Sequence, residues 1–565
     1  MFRLLSVSTL GALLLTAFPA AAAPRPEEKT SGPAVVGQAK SLNDLLEMVK
    51  TTVKNIGGDA LYKSFEMHAL PNLDPKKLPG IDPKRPFGFY GSIDEDLTKC
   101  RGVLLIPVTS EKDFFDMLDE FQIKWNKGKD PGTFDVVVPP QVPFPVSGRI
   151  HKEYAYIAAG GFEVLEDKVI LDPKDVINPK EKAAAYVGVK LDRIPAETKK
   201  FALTTLREQS DHLKEAIAEP ELKEAFNQAQ RLALRWLKTL FDEGKEVALR
   251  LDADTKTAEL SLEVSVEGMP KSALAEYITK RPPTTNAFAA LAGDDYAQRL
   301  FVKAPLFADE AKEAFVKLIE FGQKEAAKDL AGEKPEVVAL VEAVFKSLKA
   351  TVQSGEVDLA AAIRGPNKDG FYTAIGAVHC KEGAQLEKAI KEAVKAIPDQ
   401  SRGLFKFDAG KIGDVTVHEV DLSSEAAEPA KKIFGKVQTA YFAFAKDAVY
   451  AAYGPDGMKF LKEAMAAKPV PAAVLDSSSN GKKAVELIRR LMPMNDPNAK
   501  DEIEGVLTRM GFMETMTTGM RVTVEGGDRL KVRIGLNVGA FMLMGFRSFA
   551  AAPPRVAPAA GAAKD

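Results

Sequence analysis

The stretches Val247-Ala248-Leu249-Arg250-Leu251-Asp252 and Leu260-Ser261-Leu262-Glu263-Val264-Ser265-Val266 decide the fold class. Large apolar side chains occupy every second position in both. This period of two marks a strand with one buried and one wet face. A polar turn carrying Asp252 and Asp254 joins the runs into an antiparallel hairpin. The chain enters this hairpin from an amphipathic helix bearing Leu222, Phe226, Leu232, Trp236 and Leu240, which stops at Gly244. Long antiparallel hairpins fed by helix pairs imply an α+β fold.

Outward from this stretch the same kinds of element recur. Ser41 with Asp44, and Ser110 with Asp113, are capping-box patterns that open helices. Strands are expected at Phe87–Tyr90, Val103–Val108, Phe134–Val138, Tyr154–Ala159 and Ala185–Leu191. Beyond the hairpin, strands are expected at Ala287–Leu291, Leu359–Ile363, Phe371–Val378, Leu404–Phe407, Val415–Val420, Tyr441–Phe444, Val449–Tyr453 and Ala472–Leu475. A closing hairpin carries Val522 and Val524 before Gly526-Gly527, then Leu530, Val532, Ile534, Leu536 and Val538.

This recurrence reads as a duplication, with one half over residues 41–280 and a second over 286–545. Tyr154-Ala155-Tyr156-Ile157-Ala158-Ala159-Gly160 matches Ala448-Val449-Tyr450-Ala451-Ala452-Tyr453-Gly454 in pattern and position. Each precedes an apolar pair, Val164-Leu165 and Phe460-Leu461. The segment Lys280-Arg281-Pro282-Pro283-Thr284-Thr285 is the expected boundary.

The two ends read differently. Residues 1–22 have the build of an export signal: Arg3, an apolar run from Leu4 to Phe18, then small residues with cleavage expected after Ala22. The run is too short for a good membrane span, as is Val538–Phe546. No cysteine follows it, which argues against a lipid anchor. Residues 23–40 are expected to be a flexible linker and 551–565 a disordered Ala/Pro tail. The expected location is therefore exported, periplasmic or extracellular. The 77 basic and 79 acidic residues nearly cancel, so no charge excess argues for nucleic acid.

The chemistry is mostly a set of exclusions. The sequence holds no Gly-x-Ser-x-Gly elbow, phosphate loop, dinucleotide fingerprint, His-Glu-x-x-His, Cys-x-x-Cys or calcium loop. Cys100 and Cys380 are the only cysteines, so no disulfide framework exists, though a single bond between them stays open. The histidines are His68, His151, His212, His379 and His418. If their strands pair, His379, Cys380 and His418 approach one another as an activated thiol or soft-metal site. The alternation of a strand, however, points His379 and Cys380 to opposite faces.

Met492, Met494, Met510, Met513, Met516, Met520, Met542 and Met544 form a C-terminal methionine cluster. Core filling, a pliable apolar groove and copper(I) are the readings it allows, in that order. The acidic pairs Asp294-Asp295 and Asp252/Asp254 fit turn chemistry, and Trp125 and Trp236 sit at apolar helix positions. No catalytic residue and no cofactor is assigned, and a metal is left open. The reading is an exported, non-catalytic binding or scaffolding protein of the bacterial envelope, with an envelope protein or an apolar small molecule as partner. The alternatives are a carrier of an apolar, lipid-like ligand and an enzyme with an unfamiliar site.

Overall fold

The computed structural model describes residues 32–537 except 69, 71–73, 140–143, 257–258, 282, 306–308, 330–331, 333, 425, 437 and 492–516. The expected export signal, the C-terminal tail and every residue of the methionine cluster except Met520 lie outside the described residues.

The strands are β1 (Val35–Ala39), β2 (Phe87–Ser92), β3 (Arg101–Pro107), β4 (Trp125–Lys127), β5 (Thr133–Val136), β6 (Val146–His151), β7 (Tyr154–Ala159), β8 (Ala185–Lys190), β9 (Gly244–Asp254), β10 (Glu259–Gly268), β11 (Thr285–Asn286), β12 (Tyr296–Pro305), β13 (Glu356–Arg364), β14 (Thr373–His379), β15 (Phe405–Ile412), β16 (Val415–Asp421), β17 (Thr439–Phe444), β18 (Ala448–Tyr453), β19 (Val470–Pro471), β20 (Leu475–Asn480), β21 (Thr517–Glu525) and β22 (Leu530–Asn537). The longer helices are α1 (Leu42–His68), α2 (Glu111–Glu120), α3 (Ala196–Glu215), α4 (Pro220–Glu243), α5 (Ala273–Lys280), α6 (Asp309–Asp329), α7 (Pro335–Gln353), α8 (Gly383–Lys395), α9 (Glu428–Phe434), α10 (Gly457–Ala466) and α11 (Gly481–Leu491). The class is α+β, as expected.

All strands except β11 and β19, which pair with each other, form one 20-stranded antiparallel sheet. Its linear order is β4-β5-β6-β7-β3-β2-β1-β8-β9-β10-β22-β21-β20-β12-β13-β14-β18-β17-β16-β15. Counted inward from its two edges, the order runs β4-β5-β6-β7-β3-β2-β1-β8-β9-β10 and β15-β16-β17-β18-β14-β13-β12-β20-β21-β22. β7 and β18, which carry the matching Tyr/Ala runs, hold the same place in the two series. The helix pairs do not. α3 and α4 follow β8, whereas α6 and α7 follow β12. The parts on either side of residues 280–285 are joined by a continuous backbone ladder, β10 against β22, from Glu259↔Asn537 to Val266↔Leu530.

At both capping-box patterns the serine caps the helix, and its hydroxyl donates to the aspartate carboxylate. Ser41 Oγ accepts the Asp44 amide at 3.1 Å and Ser110 Oγ accepts the Asp113 amide at 3.0 Å. Strand register then sorts side chains onto two faces. On one face α4 and α5 pack Leu240, Leu274 and Ile278 onto Val266, Val522, Val524 and Leu530. α2 covers the same face near the β4 edge through Phe114, Met117 and Leu118. On the opposite face the apolar cores lie toward the two edges. There Leu165 and Val176 cover Tyr90, Val103 and Tyr156, and Phe460 and Leu461 of α10 cover Phe301, Ala360, Ala377 and Val417. Between these two cores the opposite face is polar. Arg250 pairs with Glu181 at 3.1 Å and Glu263 at 3.4 Å and donates to Ser265 Oγ at 2.8 Å.

Several expectations are corrected. Val35–Ala39, inside the stretch read as a flexible linker, is a strand held between β2 and β8. Its Pro and Gly neighbours had masked a short run that pairs on both sides. The strand expected at Ala287–Leu291 is instead a short 3-10 turn, Ala289–Ala292, closed by Gly293 at φ +60. The strand itself is β12. The strand expected at Ala472–Leu475 instead begins at Leu475, its last residue, and runs as β20 through Asn480.

Candidate functional site

Two concavities on the helix-bearing face merit functional reading. The first is a shallow apolar furrow. Register places Leu300, Ala361, Gly376, Ala451 and Phe442 in one row across β12, β13, β14, β18 and β17. Small side chains in the middle of this row leave a trough between bulkier ones. The space is about 630 Å³, and Tyr453 and Ile363 also line it. One end is closed by α9, whose Phe434 ring lies 4.8 Å from that of Tyr453. Toward the other, α7 packs on β13 and α8 on β17. Further large apolar residues are exposed elsewhere on this face. Leu104, Phe89, Val187 and Leu249 share one row, Leu251 and Leu536 lie beside it on the same face, and all are exposed although large and apolar. Exposed large apolar residues grouped on one face mark an interaction site more often than an isolated exposed leucine does.

The second is a cleft of about 760 Å³ at the sheet edge, between α8 and β15. Its inner end is a knot of titratable groups. His418 is buried on β16. Its Nδ1 accepts the Asp408 backbone N–H at 3.1 Å, so the ring proton sits on Nε2 and faces Glu387 Oε1 at 3.2 Å. Lys391 Nζ lies 2.9 Å from Glu387 Oε1 and 3.0 Å from Asp408 Oδ1. The Glu387 hydrogen bond raises the Lys391 pKa, and the Lys391 hydrogen bond lowers that of Asp408. A bulge after Lys406 makes the arrangement: Asp408 takes a left-handed φ of +55, which turns its amide toward the imidazole.

Ligand atoms of Glu387, Asp408 and His418 lie within 4.8 Å of one another. The donor set nonetheless fits a metal poorly as built. The Nδ1 lone pair is already taken by an N–H, and the Lys391 ammonium sits where a cation would be shared by the two carboxylates. An imidazole held by a carboxylate is half of a general-base device. Among the described residues no hydroxyl or thiol hydrogen-bonds to it.

The remaining sequence candidates separate. His379 and His418 do not meet, because β18 and β17 stand between β14 and β16. Cys380 is buried with Ser347 Oγ 2.9 Å from its sulfur, and Cys100 accepts the Asp94 amide at 3.4 Å. Both are free thiols. His151 packs edge-on against Tyr156 at 5.9 Å, and burial holds its pKa below the ordinary value. His212 is exposed on α3.

Asp295 accepts Arg364 Nε at 2.7 Å, while the guanidinium lies 3.7 Å from the centre of the Phe460 ring, a structural clamp. Asp254 caps its turn through the Lys256 amide at 2.8 Å. Trp125 was expected on a helix but begins strand β4, where it stacks on Phe115 at 4.1 Å, and Trp236 packs from α4 against the core, so neither forms an exposed platform. Sequence reasoning singled out His418 but missed Glu387, Lys391 and Asp408. The i,i+4 spacing of Glu387 and Lys391 was the available signal.

Comparison with protein-family models, curated proteins and solved structures finds no match for this chain. Function is therefore argued from the site alone.

Proposed function

We propose that this chain is an exported, non-catalytic binding or scaffolding protein of the bacterial envelope, and that it holds its partner on the helix-bearing face of the sheet. The observation that carries this reading is the apolar furrow on Leu300, Ala361, Gly376, Ala451 and Phe442, with further exposed leucines elsewhere on the same face. Desolvating such a surface contributes roughly 25 cal/mol per Å² of apolar area. Export rests on the Met1–Ala22 sequence, and the mature chain is expected to begin near residue 23. Among the described residues no helix is long and apolar enough to cross a membrane.

The furrow is an open trough rather than an enclosed cavity. That shape favours an extended segment or apolar ridge of another envelope protein. It also bears on the second reading, a carrier of a lipid-like molecule, because a trough closed by α9 at one end suits a single acyl chain. Native mass spectrometry of the protein purified from its own envelope without detergent separates the two. A released lipid mass identifies a carrier. A bare polypeptide that crosslinks to one protein through the furrow identifies a scaffold. A bare polypeptide with no crosslink from the furrow contradicts both.

A further inference from the structure

We propose that the cleft between α8 and β15 takes an extended acidic peptide, which adds to β15 as a further antiparallel or parallel strand. This site is separate from the apolar furrow and does not depend on it. Among the described residues β15 is the terminal strand and pairs only with β16. Leu404 O accepts the Asp421 amide at 2.8 Å. Alternation along an antiparallel ladder then turns the N–H and C=O of Phe405 away from β16, toward the open edge. An unpaired edge is a template for strand addition, and a helix beside it supplies a wall for alternate side chains.

The cleft has the chemistry for such a strand. Its floor is apolar: the rings of Phe405 and Phe407 stack at 6.2 Å, and Val394 lies beside them. Its rim carries Lys388, Lys391, Lys395 and Arg402 beside Glu387, Glu392 and Asp399, which leaves Lys388 as the cation without an acidic partner among the described residues. Lys388 is exposed and makes no ion pair within 4 Å among the described residues. Lys395 pairs with the solvent-exposed Glu392 at 2.7 Å, and Arg402 pairs with the exposed Asp399 at 3.0 Å while donating to the Lys395 and Ile397 carbonyls at 2.8 and 3.1 Å. Surface pairs of this kind contribute little, so a ligand carboxylate can replace them. An added strand sends every second side chain into the cleft; glutamates at those positions, with their methylenes over the aromatic floor and their carboxylates at the rim, describe an alternating acidic peptide.

Two comparisons within the molecule support a built groove. At the other edge of the sheet the corresponding space between α2 and β4 is filled, because Trp125 stacks on Phe115 and donates to Asp119 at 3.0 Å. No such plug lies between α8 and β15. The usual edge guards are also turned aside. Lys406 is paired with Glu419 at 3.5 Å on the opposite face, and the bulge begins only after it.

The test uses the full mature chain and a fluorescent hexapeptide of alternating valine and glutamate, read by anisotropy. Saturable binding is expected, at least tenfold weaker for the lysine-for-glutamate peptide and at least tenfold weaker for Lys388→Glu, whose unfolding midpoint should match the parent. Strand addition has its own mark: N-methylation of one alternate set of peptide amides should abolish binding, and methylation of the other set should be tolerated. No binding at millimolar peptide, equal binding of both methylated sets, or indifference to Lys388→Glu would each overturn the proposal. So would a concentration-dependent dimer that protects the Phe405 amide from exchange, because the edge would then belong to a second copy.

Discussion

The imidazole of His418 is held between the backbone amide of Asp408, 3.1 Å from Nδ1, and the Glu387 carboxylate, 3.2 Å from Nε2. This bond ties a bulged edge strand to the helix above it. Replacing the ring removes a buried acceptor and a buried donor together. His418→Ala should therefore lower unfolding stability by about 3 kcal/mol, from the cavity and the stranded polar groups. Chemical denaturation checks this, and a change below about 0.5 kcal/mol would show that the knot is not structural.

Glu246 gives the pH dependence. It is buried, which alone would raise its pKa, but Lys190 and Arg529 outweigh burial and hold it below its ordinary value of 4.5. Arg529 Nη1 lies 2.7 Å from Oε1, and Lys190 pairs with Oε2. A carboxyl with a depressed folded pKa adds stability above its unfolded pKa and loses it as the pH falls through the folded value. The unfolding midpoint should therefore drop on acidification below about pH 4.5. Glu246→Gln should cost about 3 kcal/mol at neutral pH and flatten part of the acid limb. An unchanged acid limb in the variant would assign the effect to other carboxylates.

Gly454 and Gly160 end the two matching strands with φ of +119 and +100. A Cβ on Gly454 would meet the Tyr372 carbonyl oxygen at 2.8 Å. Gly454→Ala should cost roughly 1–3 kcal/mol, because left-handed strain and a backbone clash add. The variant Gly413→Ala, also left-handed at φ +58 but with nothing within 4 Å, is the control for strain alone and should cost less.

The furrow gives a binding prediction without a stability cost. Ala361 is exposed on its floor. Ala361→Trp should fill the trough and abolish retention of the partner or ligand, while the unfolding midpoint changes by less than about 0.5 kcal/mol in free-energy terms. Copurification compared with denaturant titration checks both halves. Full retention in the variant would move the binding surface elsewhere.

The sequence was most legible where burial follows period. The β9–β10 hairpin, β7, β18 and both capped helices stand where the alternation of apolar residues puts them. β12 and β20 were obscured because their interiors hold charge. Arg299 pairs with Asp476 at 2.9 Å, and Lys303 with Asp358 at 2.8 Å and Glu356 at 2.9 Å, so central strands carry polar residues on a covered face. Apolar periodicity cannot see such pairs, which are long-range in sequence. Asn286 misled in the same way: wholly buried, its side chain bonds Val302 O and Leu359 O and caps the Phe288 amide, ending what reads as a strand. The candidate site was half legible. His418 stood out as a rare residue, but its partners come from a helix and a bulge whose approach is set by the order of the sheet.

The most direct measurement is site-specific photo-crosslinking in the native envelope, with a benzophenone side chain placed at Leu300 in the furrow and, as control, at Lys168 on the exposed surface. A discrete adduct from Leu300 that is absent from Lys168 and lost in the Ala361→Trp background is the result this account predicts. No adduct from Leu300, or the same adducts from both positions, would contradict it.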